Sequence, residues 1–239
     1  MNTVKFEKGN ALVVAHRGVS GIETENTCAA FIAAGNRSYY GIETDIFRTL
    51  DGGFICNHDG NLSRIAGEKI SVEDATLSTL QGIILYDKDG TKDRLDLRPC
   101  TLENYISICK KYEKQCILEL KSDFTMEETE RFIGIIKKYD YLDKVTFISF
   151  NYENLKRVRC VLPHQSVQFL FKSLTDEIFY NIVADKFDVD VHYPSLNKEN
   201  IDRMHGAGIK INCWTVDKKE DAERLASLGV DQITTNILE

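Results

Sequence analysis

The 239 residues of this chain lack several features that would place it in a specialised class of protein. No run approaches the roughly 18 apolar residues of a membrane-spanning helix. The opening residues contain no apolar core followed by a cleavage site, so a secretory signal is not expected. Glycine-rich nucleotide loops of the GxGxxG or Walker type are also absent. These absences predict a cytoplasmic protein. They also argue against a nucleotide site of the dinucleotide-binding or P-loop type.

Excess basic charge and closely spaced cysteines are missing as well. Lys and Arg total 30 against 37 for Asp and Glu, which gives a net charge of -7 with no long basic run. Neither nucleic acid nor an anionic membrane is therefore expected as a partner. The seven cysteines form no CxxC pair, and this pattern suits thiols in a reducing compartment better than a disulfide framework or a zinc site.

The sequence does contain a repeated alternation of short apolar runs and helix-like stretches. This alternation is typical of βα units around a parallel sheet that is buried on both faces. Eight runs are predicted as strands: Leu12–Ala15, Tyr40–Ile46, Cys116–Leu120, Val145–Phe150, Val167–Phe171, Phe187–Val191, Lys210–Val216 and Gln232–Thr235. They predict an α/β fold, a (β/α)8 TIM barrel, with residues 1–239 as a single domain. The irregular stretch 60–99 is predicted to be a small insertion after the second strand.

Capping residues support this segmentation. Thr125 and Asp217 are each followed three residues later by a glutamate, the pattern that begins many helices. Gly206 and Gly229 are predicted to end the last two helices, because glycine tolerates the left-handed backbone found there.

Charged side chains collect where the predicted strands end, which is the active-site face of such a barrel. Alternation along a strand places Glu43 and Asp45 on one face, and likewise Glu119 and Lys121. Three carboxylates brought together need a compensating cation, and a site rich in oxygen ligands favours Mg²⁺ or Ca²⁺. The alternative is an internal salt-bridge network made with Arg17 and Lys121.

Two histidines and one tryptophan complete the candidate site. His16 ends the first strand and His58 follows the second, so together they could act as acid and base on either side of the metal. Taken singly, each histidine is better explained by a structural role, and it is the pairing of the two that favours catalysis. Trp214 could cover the substrate or pack as a core aromatic. Four further residues near strand ends are interpreted as structural or solvated: Phe150, Lys172, His192 and Tyr193.

Eight short motifs follow one another in a specific order. They are HRG at 16–18, ENT at 25–27, GIETD at 41–45, TLDG at 49–52, HD at 58–59, PCTLE at 99–103, ELK at 119–121 and CWTV at 213–216. In order and rough spacing this series resembles the glycerophosphodiester phosphodiesterase family from residue 11 to residue 236. The chain departs from the family pattern at Thr24, where proline is usual, and at Asn236, where aspartate is common.

The resemblance implies a role for each candidate residue. Glu43, Asp45 and Glu119 would bind the metal, and His16 and His58 would be the acid and base. Phosphate contacts would come from two cations, Arg17 and Lys121, and Trp214 would belong to the site. In the family, the glycerol hydroxyl next to the phosphate is thought to be the nucleophile, giving a cyclic phosphate that water then opens.

The expected activity is metal-dependent hydrolysis of small glycerophosphodiesters to glycerol 3-phosphate and an alcohol. One alternative is a lysophospholipase D-like activity, which would need an apolar trough for an acyl chain. Another is a non-catalytic barrel that binds phosphorylated ligands. The sequence leaves open the headgroup, the choice between the two metals and the oligomeric state.

Overall fold

The structure, a computed structural model, describes residues 2–239. The strands over these residues are β1 (Leu12–Ala15), β2 (Gly41–Arg48), β3 (Phe54–Cys56), β4 (Gln115–Leu120), β5 (Val145–Ser149), β6 (Ser166–Phe171), β7 (Asp188–His192), β8 (Ile211–Trp214) and β9 (Gln232–Thr235). The helices are α1 (Cys28–Gly35), α2 (Ser63–Ala66), α3 (Leu77–Gln81), α4 (Leu102–Lys111), α5 (Met126–Lys138), α6 (Tyr152–Val161), α7 (Asp176–Asp185), α8 (Lys198–Gly206) and α9 (Lys219–Leu228). No helix within residues 2–239 is long and apolar enough to cross a membrane.

Eight of the strands close into a parallel barrel. The order is β1, β9, β8, β7, β6, β5, β4 and β2, and β1 also pairs with β2 to complete the circle. The predicted (β/α)8 TIM barrel is therefore confirmed. Each of the eight predicted apolar runs is a barrel strand, because a strand buried on both faces must be apolar along most of its length.

The sequence did not predict β3. This strand has three residues and pairs antiparallel with the end of β2, with Ile46 opposite Cys56. The backbone N–H of Cys56 also donates to the carbonyl of Cys100 at 2.7 Å. The hairpin turns the chain back over the barrel end and carries the residues that follow it to the rim.

Three of the four predicted helix boundaries are confirmed, and the one at Asp217 is wrong. A capping box at Thr125 begins α5 and Gly229 ends α9 with φ +97°, both as predicted. In contrast, α9 begins after Lys218, since the carboxylate of Asp217 accepts two hydrogen bonds from Asn236, which follows β9. Gly206 is the last residue of α8, and the left-handed backbone comes two residues later at Gly208, with φ +78°.

The apolar side chains form a large core between barrel and helices, and two smaller clusters. One small cluster fills the inside of the barrel and consists of Val14, Ile117, Ile148 and Leu170. The other, which we name the rim core, is formed by Ile55, Leu62, Ile65, Ala66, Val72, Ala75, Leu80, Leu85 and Leu97. Eight of its nine residues lie between β3 and α4, where α2 and α3 cover one side of the barrel mouth.

Candidate active site

A cavity of about 260 Å³ opens at the carboxyl ends of the barrel strands. It is lined by His16, Arg17, Glu43, His58, Glu119, Lys121, Ile148, Phe150, Leu170, Asp190, Trp214, Thr215 and Thr234. Seven of the eight residues singled out in the sequence are in this lining. The eighth, Asp45, is 1% exposed and contacts the two cations of the group. The structure thus brings all eight residues together at the end of the barrel where function is expected.

The three predicted metal-binding carboxylates lie on neighbouring strands. Glu43 and Asp45 are on β2 and Glu119 is on β4, where Asp45 and Glu119 are register partners. One oxygen from each side chain lies within 4.8 Å of the others, and all three residues are buried. These oxygens could hold a metal ion.

The electrostatics of the three carboxylates fit a bound cation. Burial, together with the charge of Asp45, raises the pKa of Glu43 and raises that of Glu119 to about 7. Burial acts in the same direction on Asp45, but Arg17 and then Lys121 outweigh it and lower that pKa. Oδ1 of Asp45 accepts no hydrogen bond within residues 2–239. A divalent cation would satisfy this oxygen and stabilise all three side chains as carboxylates.

The two predicted phosphate-binding cations also contact the carboxylates. Nζ of Lys121 lies 2.9 Å from Glu119 and 3.5 Å from Asp45, while Nε of Arg17 lies 3.6 Å from Asp45. The salt-bridge network raised as an alternative is therefore present. Two cationic side chains face three carboxylates in this network, so it leaves room for a further cation.

A turn with left-handed backbone follows β1 and brings a backbone N–H into the site. Arg17 has φ +54° and Gly18 has φ +77°. In this conformation the backbone N–H of Arg17 donates to Oε2 of Glu43 at 2.7 Å, while its guanidinium donates to Glu25 at 2.8 Å. A β-carbon at Gly18 would lie 2.7 Å from the backbone of Ala30, so glycine is required by space as well as by φ.

The ring of His16 is oriented by Asn236. Nδ1 of the imidazole lies 2.7 Å from Oδ1 of that amide. The amide orientation is fixed because its Nδ2 donates to the carboxylate of Asp217 at 2.6 Å. His16 therefore carries its proton on Nδ1 and turns an unprotonated Nε2 toward Glu43, whose Oε2 is 4.0 Å away. Burial and the charge of Arg17 lower the pKa of His16 to about 4.

His58 is held by a chain of ion pairs that reaches across the rim. Its Nδ1 lies 2.7 Å from Asp59, and Nε of Arg64 donates to the same carboxylate at 2.7 Å. The other end of the Arg64 guanidinium donates twice to Glu25, at 2.7 and 2.8 Å. Since Glu25 also accepts from Arg17, the chain joins both sides of the cavity.

The sequence analysis gave no role to three side chains that support the site. Arg64 comes from α2, and no motif marked it. Asn26, with φ +56°, donates to Asp45 at 2.9 Å. Asn26 lies in the ENT motif, and that motif was the signal in the sequence that could have identified it. Asp190 lines the cavity from β7 and lay in a predicted strand without any motif.

The side of the cavity away from Glu43, Asp45 and Glu119 is apolar apart from Asp190. Trp214 packs edge to face on Phe150, with ring centroids 5.6 Å apart, and lies 5.1 Å from the ring of His192. Its Nε1 donates to the carbonyl of Asp190 at 3.3 Å. Phe150, which the sequence favoured as structural, is part of the lining, whereas Lys172 is not.

Comparison with known proteins identifies the family. A family model for the glycerophosphoryl diester phosphodiesterase family matches residues 16–239. The chain belongs to this family. It is 31% identical over 228 residues to a glycerophosphodiester phosphodiesterase of Caldanaerobacter subterraneus, covering 94% of this chain and 93% of the relative. A Bacillus subtilis glycerophosphodiester phosphodiesterase is 28% identical, covering 94% and 83% of the two chains. The chain is accordingly an enzyme of the phosphoric diester hydrolase class.

Solved structures share the fold of this phosphodiesterase family member. An Oleispira antarctica phosphodiesterase, determined in complex with the product sn-glycerol-3-phosphate, superposes with a TM-score of 0.87 at 23% identity, covering 94% of this chain and 92% of that one. A glycerophosphodiester phosphodiesterase from Parabacteroides distasonis gives a TM-score of 0.77 at 25% identity, covering 99% and 94%.

Proposed function

We propose that this family member hydrolyses small glycerophosphodiesters with one divalent cation, Mg²⁺ or Ca²⁺, and with His16 and His58 as base and acid. One observation carries the proposal. Three buried carboxylate oxygens within 4.8 Å of one another share a cavity with two imidazoles.

The cation would be held by Glu43, Asp45 and Glu119. When bound, it would withdraw negative charge from the phosphate oxygens as the reaction proceeds. Arg17 and Lys121 lie at the same edge of the cavity and would bind the remaining phosphate oxygens. The guanidinium of Arg17 suits such a contact because its planar donors match two oxygens at once.

His16 is suited to the role of base. Its Nδ1 proton is held by Asn236, so the free lone pair on Nε2 faces the cavity and can accept a proton from the attacking hydroxyl. Because its pKa is lowered to about 4, the ring is neutral at ordinary pH, and its Nε2 lone pair is not blocked by a proton.

His58 is suited to the role of acid. Nδ1 of His58 donates a hydrogen bond to the carboxylate of Asp59 at 2.7 Å, which leaves Nε2 as the nitrogen available to the cavity. His58 can therefore donate a proton from Nε2 to the departing alcohol. The ion pair from Arg64 keeps Asp59 in place for this task.

The cavity favours a small substrate. A volume of about 260 Å³ is below the usual range for sites that enclose drug-sized ligands. Its apolar lining is a short wall formed by Ile148, Phe150, Leu170 and Trp214. No long trough for an acyl chain is part of the lining among residues 2–239, so we favour deacylated diesters over a lysophospholipase D-like substrate. The complete set of acidic and imidazole side chains argues against a non-catalytic barrel.

Turnover measurements test the proposal. We expect glycerophosphocholine and glycerophosphoethanolamine to release glycerol 3-phosphate, with activity lost on chelation and restored by Mg²⁺ or Ca²⁺. Lysophospholipids should be poor substrates. The matched variants are Glu43→Gln, which should lose activity, and Glu73→Gln, which should not, because the half-buried Glu73 pairs with Arg48 outside the cavity. Full turnover in the presence of chelator would exclude the metal.

A further inference from the structure

Asp190 has a buried carboxyl group that is not used by any interaction described above. The residue is 1% exposed, and its Oδ1 accepts no hydrogen bond within residues 2–239. The side chain nevertheless lines the active-site cavity. Leaving a buried polar atom without a partner costs stability, so such an atom at the wall of a cavity indicates that a bound molecule supplies the partner.

The position of Asp190 separates it from the metal-binding residues. Counting strands round the barrel, β7 is four strands from β2 in either direction, so Asp190 lies on the strand opposite Glu43 and Asp45. Its neighbours in register are Leu170 on β6 and Asn212 on β8. A phosphate held beside Arg17 and Lys121 would therefore leave Asp190 to meet another part of the substrate across the cavity.

The chemistry of the carboxyl group limits what that part can be. Oδ1 of Asp190 lacks a hydrogen-bond donor among residues 2–239, so the substrate group that meets it must supply an N–H or O–H. A phosphate oxygen is thus a poor neighbour, and a quaternary ammonium headgroup has no N–H or O–H to donate. A hydroxyl group can donate a hydrogen bond to the free oxygen and carries no charge.

Glycerol offers a suitable hydroxyl. The hydroxyl next to the phosphate ester is close to the reacting bond and to the two imidazoles, whereas the terminal hydroxyl extends away from the phosphate. In a cavity of about 260 Å³ the terminal hydroxyl can reach the opposite wall. Leu170 and Trp214, which also line the cavity near Asp190, would cover the carbon atoms of the glycerol.

We propose that Asp190 is a specificity-determining residue whose carboxyl group accepts a hydrogen bond from the terminal hydroxyl of the glycerol moiety. The proposal rests on the glycerophosphodiesterase activity proposed above and names the part of the substrate that this enzyme distinguishes. Selection by a buried acceptor is effective because a substrate without the hydroxyl leaves that acceptor unpaired.

The experiment compares two diesters that differ in one hydroxyl group. The first is glycerophosphoethanolamine, and the second has propane-1,2-diol in place of glycerol, keeping the hydroxyl next to the phosphate and lacking the terminal one. We measure kcat/KM for both with the wild-type enzyme, Asp190→Leu, Asp190→Asn and Asp188→Asn. Asp188 is the matched control, since it lies on the same strand but its carboxylate accepts from the backbone of Lys210 outside the cavity.

We expect the wild-type enzyme to prefer the glycerol diester by on the order of 10- to 100-fold, as for loss of one buried hydrogen-bond partner. Asp190→Leu should lower kcat/KM for the glycerol diester by about that factor and change the propanediol diester by less than about 3-fold. Asp190→Asn keeps an acceptor oxygen and should retain most of the preference. Asp188→Asn should behave as the wild type.

Each other result has a distinct meaning. Equal losses on both diesters in Asp190→Leu would overturn the assignment of Asp190, and so would a loss on glycerophosphoethanolamine that is absent with glycerophosphocholine, measured alongside it. So would a wild-type enzyme that does not distinguish the two diesters, a comparison that holds even if the leucine variant does not fold. If the wild-type enzyme turns over neither diester with Mg²⁺ or Ca²⁺, the proposed function itself fails.

Discussion

The amide oxygen of Asn236 lies 2.7 Å from Nδ1 of His16, although the two residues are 220 positions apart in the chain. This contact sets the tautomer of the imidazole and leaves Nε2 free to accept a proton. The family pattern commonly has aspartate where this chain has Asn236. A neutral partner supports His16 less well as an imidazolium than a carboxylate would, and the pKa of His16 is lowered to about 4 by burial and Arg17.

Asn236→Asp should raise the pKa of His16, because a carboxylate favours the charged ring. The base would then remain protonated at a higher pH, so the acidic limb of the kcat/KM profile should move upward by about 1–2 pH units. The measurement is kcat/KM between pH 4 and 8. The double variant Asn236→Asp with Asp217→Asn restores the hydrogen bond between the two side chains and should show the same shift. If the acidic limb of the kcat/KM profile is unchanged in both variants, His16 is not the base whose protonation that limb reports.

His58→Gln should affect substrates according to their leaving group. A poor leaving group such as ethanolamine needs a proton as it departs, so its turnover should fall by about 10²- to 10⁴-fold. In a nitrophenyl diester of glycerol phosphate, the nitrophenolate leaves as a stable anion without needing a proton. The turnover of this substrate should therefore fall much less. The measurement is kcat for both substrates in wild type and variant. Equal losses on the two substrates would contradict the role of His58 as acid.

Glu119 should make the metal-free enzyme less stable as pH rises. Since the pKa of Glu119 is raised from 4.5 to about 7 by burial and Asp45, the folded state binds more protons than the unfolded state between these values. Its contribution to stability is present below pH 4.5 and is lost as pH rises through about 7. The contribution of Glu119 should therefore appear as a fall over this window in the Tm of chelated wild-type enzyme relative to the chelated Glu119→Gln variant, a comparison in which the opposite contribution of His16 cancels.

A divalent cation should reverse this loss, because it binds the carboxylate forms of the same side chains. The increase in Tm on adding Mg²⁺ or Ca²⁺ should be larger at pH 8 than at pH 5. Glu119→Gln is the matched variant, and its Tm should depend less on pH and respond less to the cation. A Tm that is indifferent to both cations at pH 8 would argue against the metal site.

Arg64→Leu should disturb His58 without unfolding the protein. The substitution removes three hydrogen bonds to Asp59 and Glu25, and we expect kcat to fall by about 10-fold, in the range for loss of residues that orient an active-site group. Arg94→Leu is the control. Arg94 also bridges two acidic residues, Glu23 and Asp96, but lies outside the cavity lining. Similar kinetics in the two variants would show that the Arg64 pairs are only structural.

Gly18→Ala and Gly208→Ala should differ in their effect on stability although the two glycines share nearly the same backbone conformation, with φ +77° and +78°. Either alanine costs about 1–3 kcal/mol in the left-handed region. At Gly18 the added carbon would also lie 2.7 Å from the backbone of Ala30, whereas nothing lies within 4 Å at Gly208. Denaturant unfolding should show the larger loss for Gly18→Ala.

How far the sequence predicts the structure depends on the range of the interaction concerned. The barrel strands are predictable because burial on both faces makes each one a continuous apolar run. Glu43 and Asp45 could be placed on one face because their spacing of two residues is the period of a strand. The short β3 has too few residues to show a period. Asp217 was predicted as a helix cap, but its carboxylate binds Asn236, and local spacing contains no information about that partner.

The support for His58 was hidden for the same reason. Arg64 is 39 positions from Glu25, and no helix or strand period relates them. The unpaired carboxyl of Asp190 was equally hidden, since a lone acidic residue within an apolar run does not tell whether its partner is protein or ligand. In both cases the three-dimensional arrangement, and not the residue type, reveals the role.

The rim core described above has a consequence for how this enzyme fails on heating. Arg64 lies on α2 beside Ile65 and Ala66, so the side chain that anchors Asp59 depends on a cluster separate from the large core of the barrel. A small cluster can open at a lower free-energy cost than the whole domain. Catalysis should then cease several degrees before the barrel melts, and it should return on cooling, because the strands that hold the carboxylates have stayed folded.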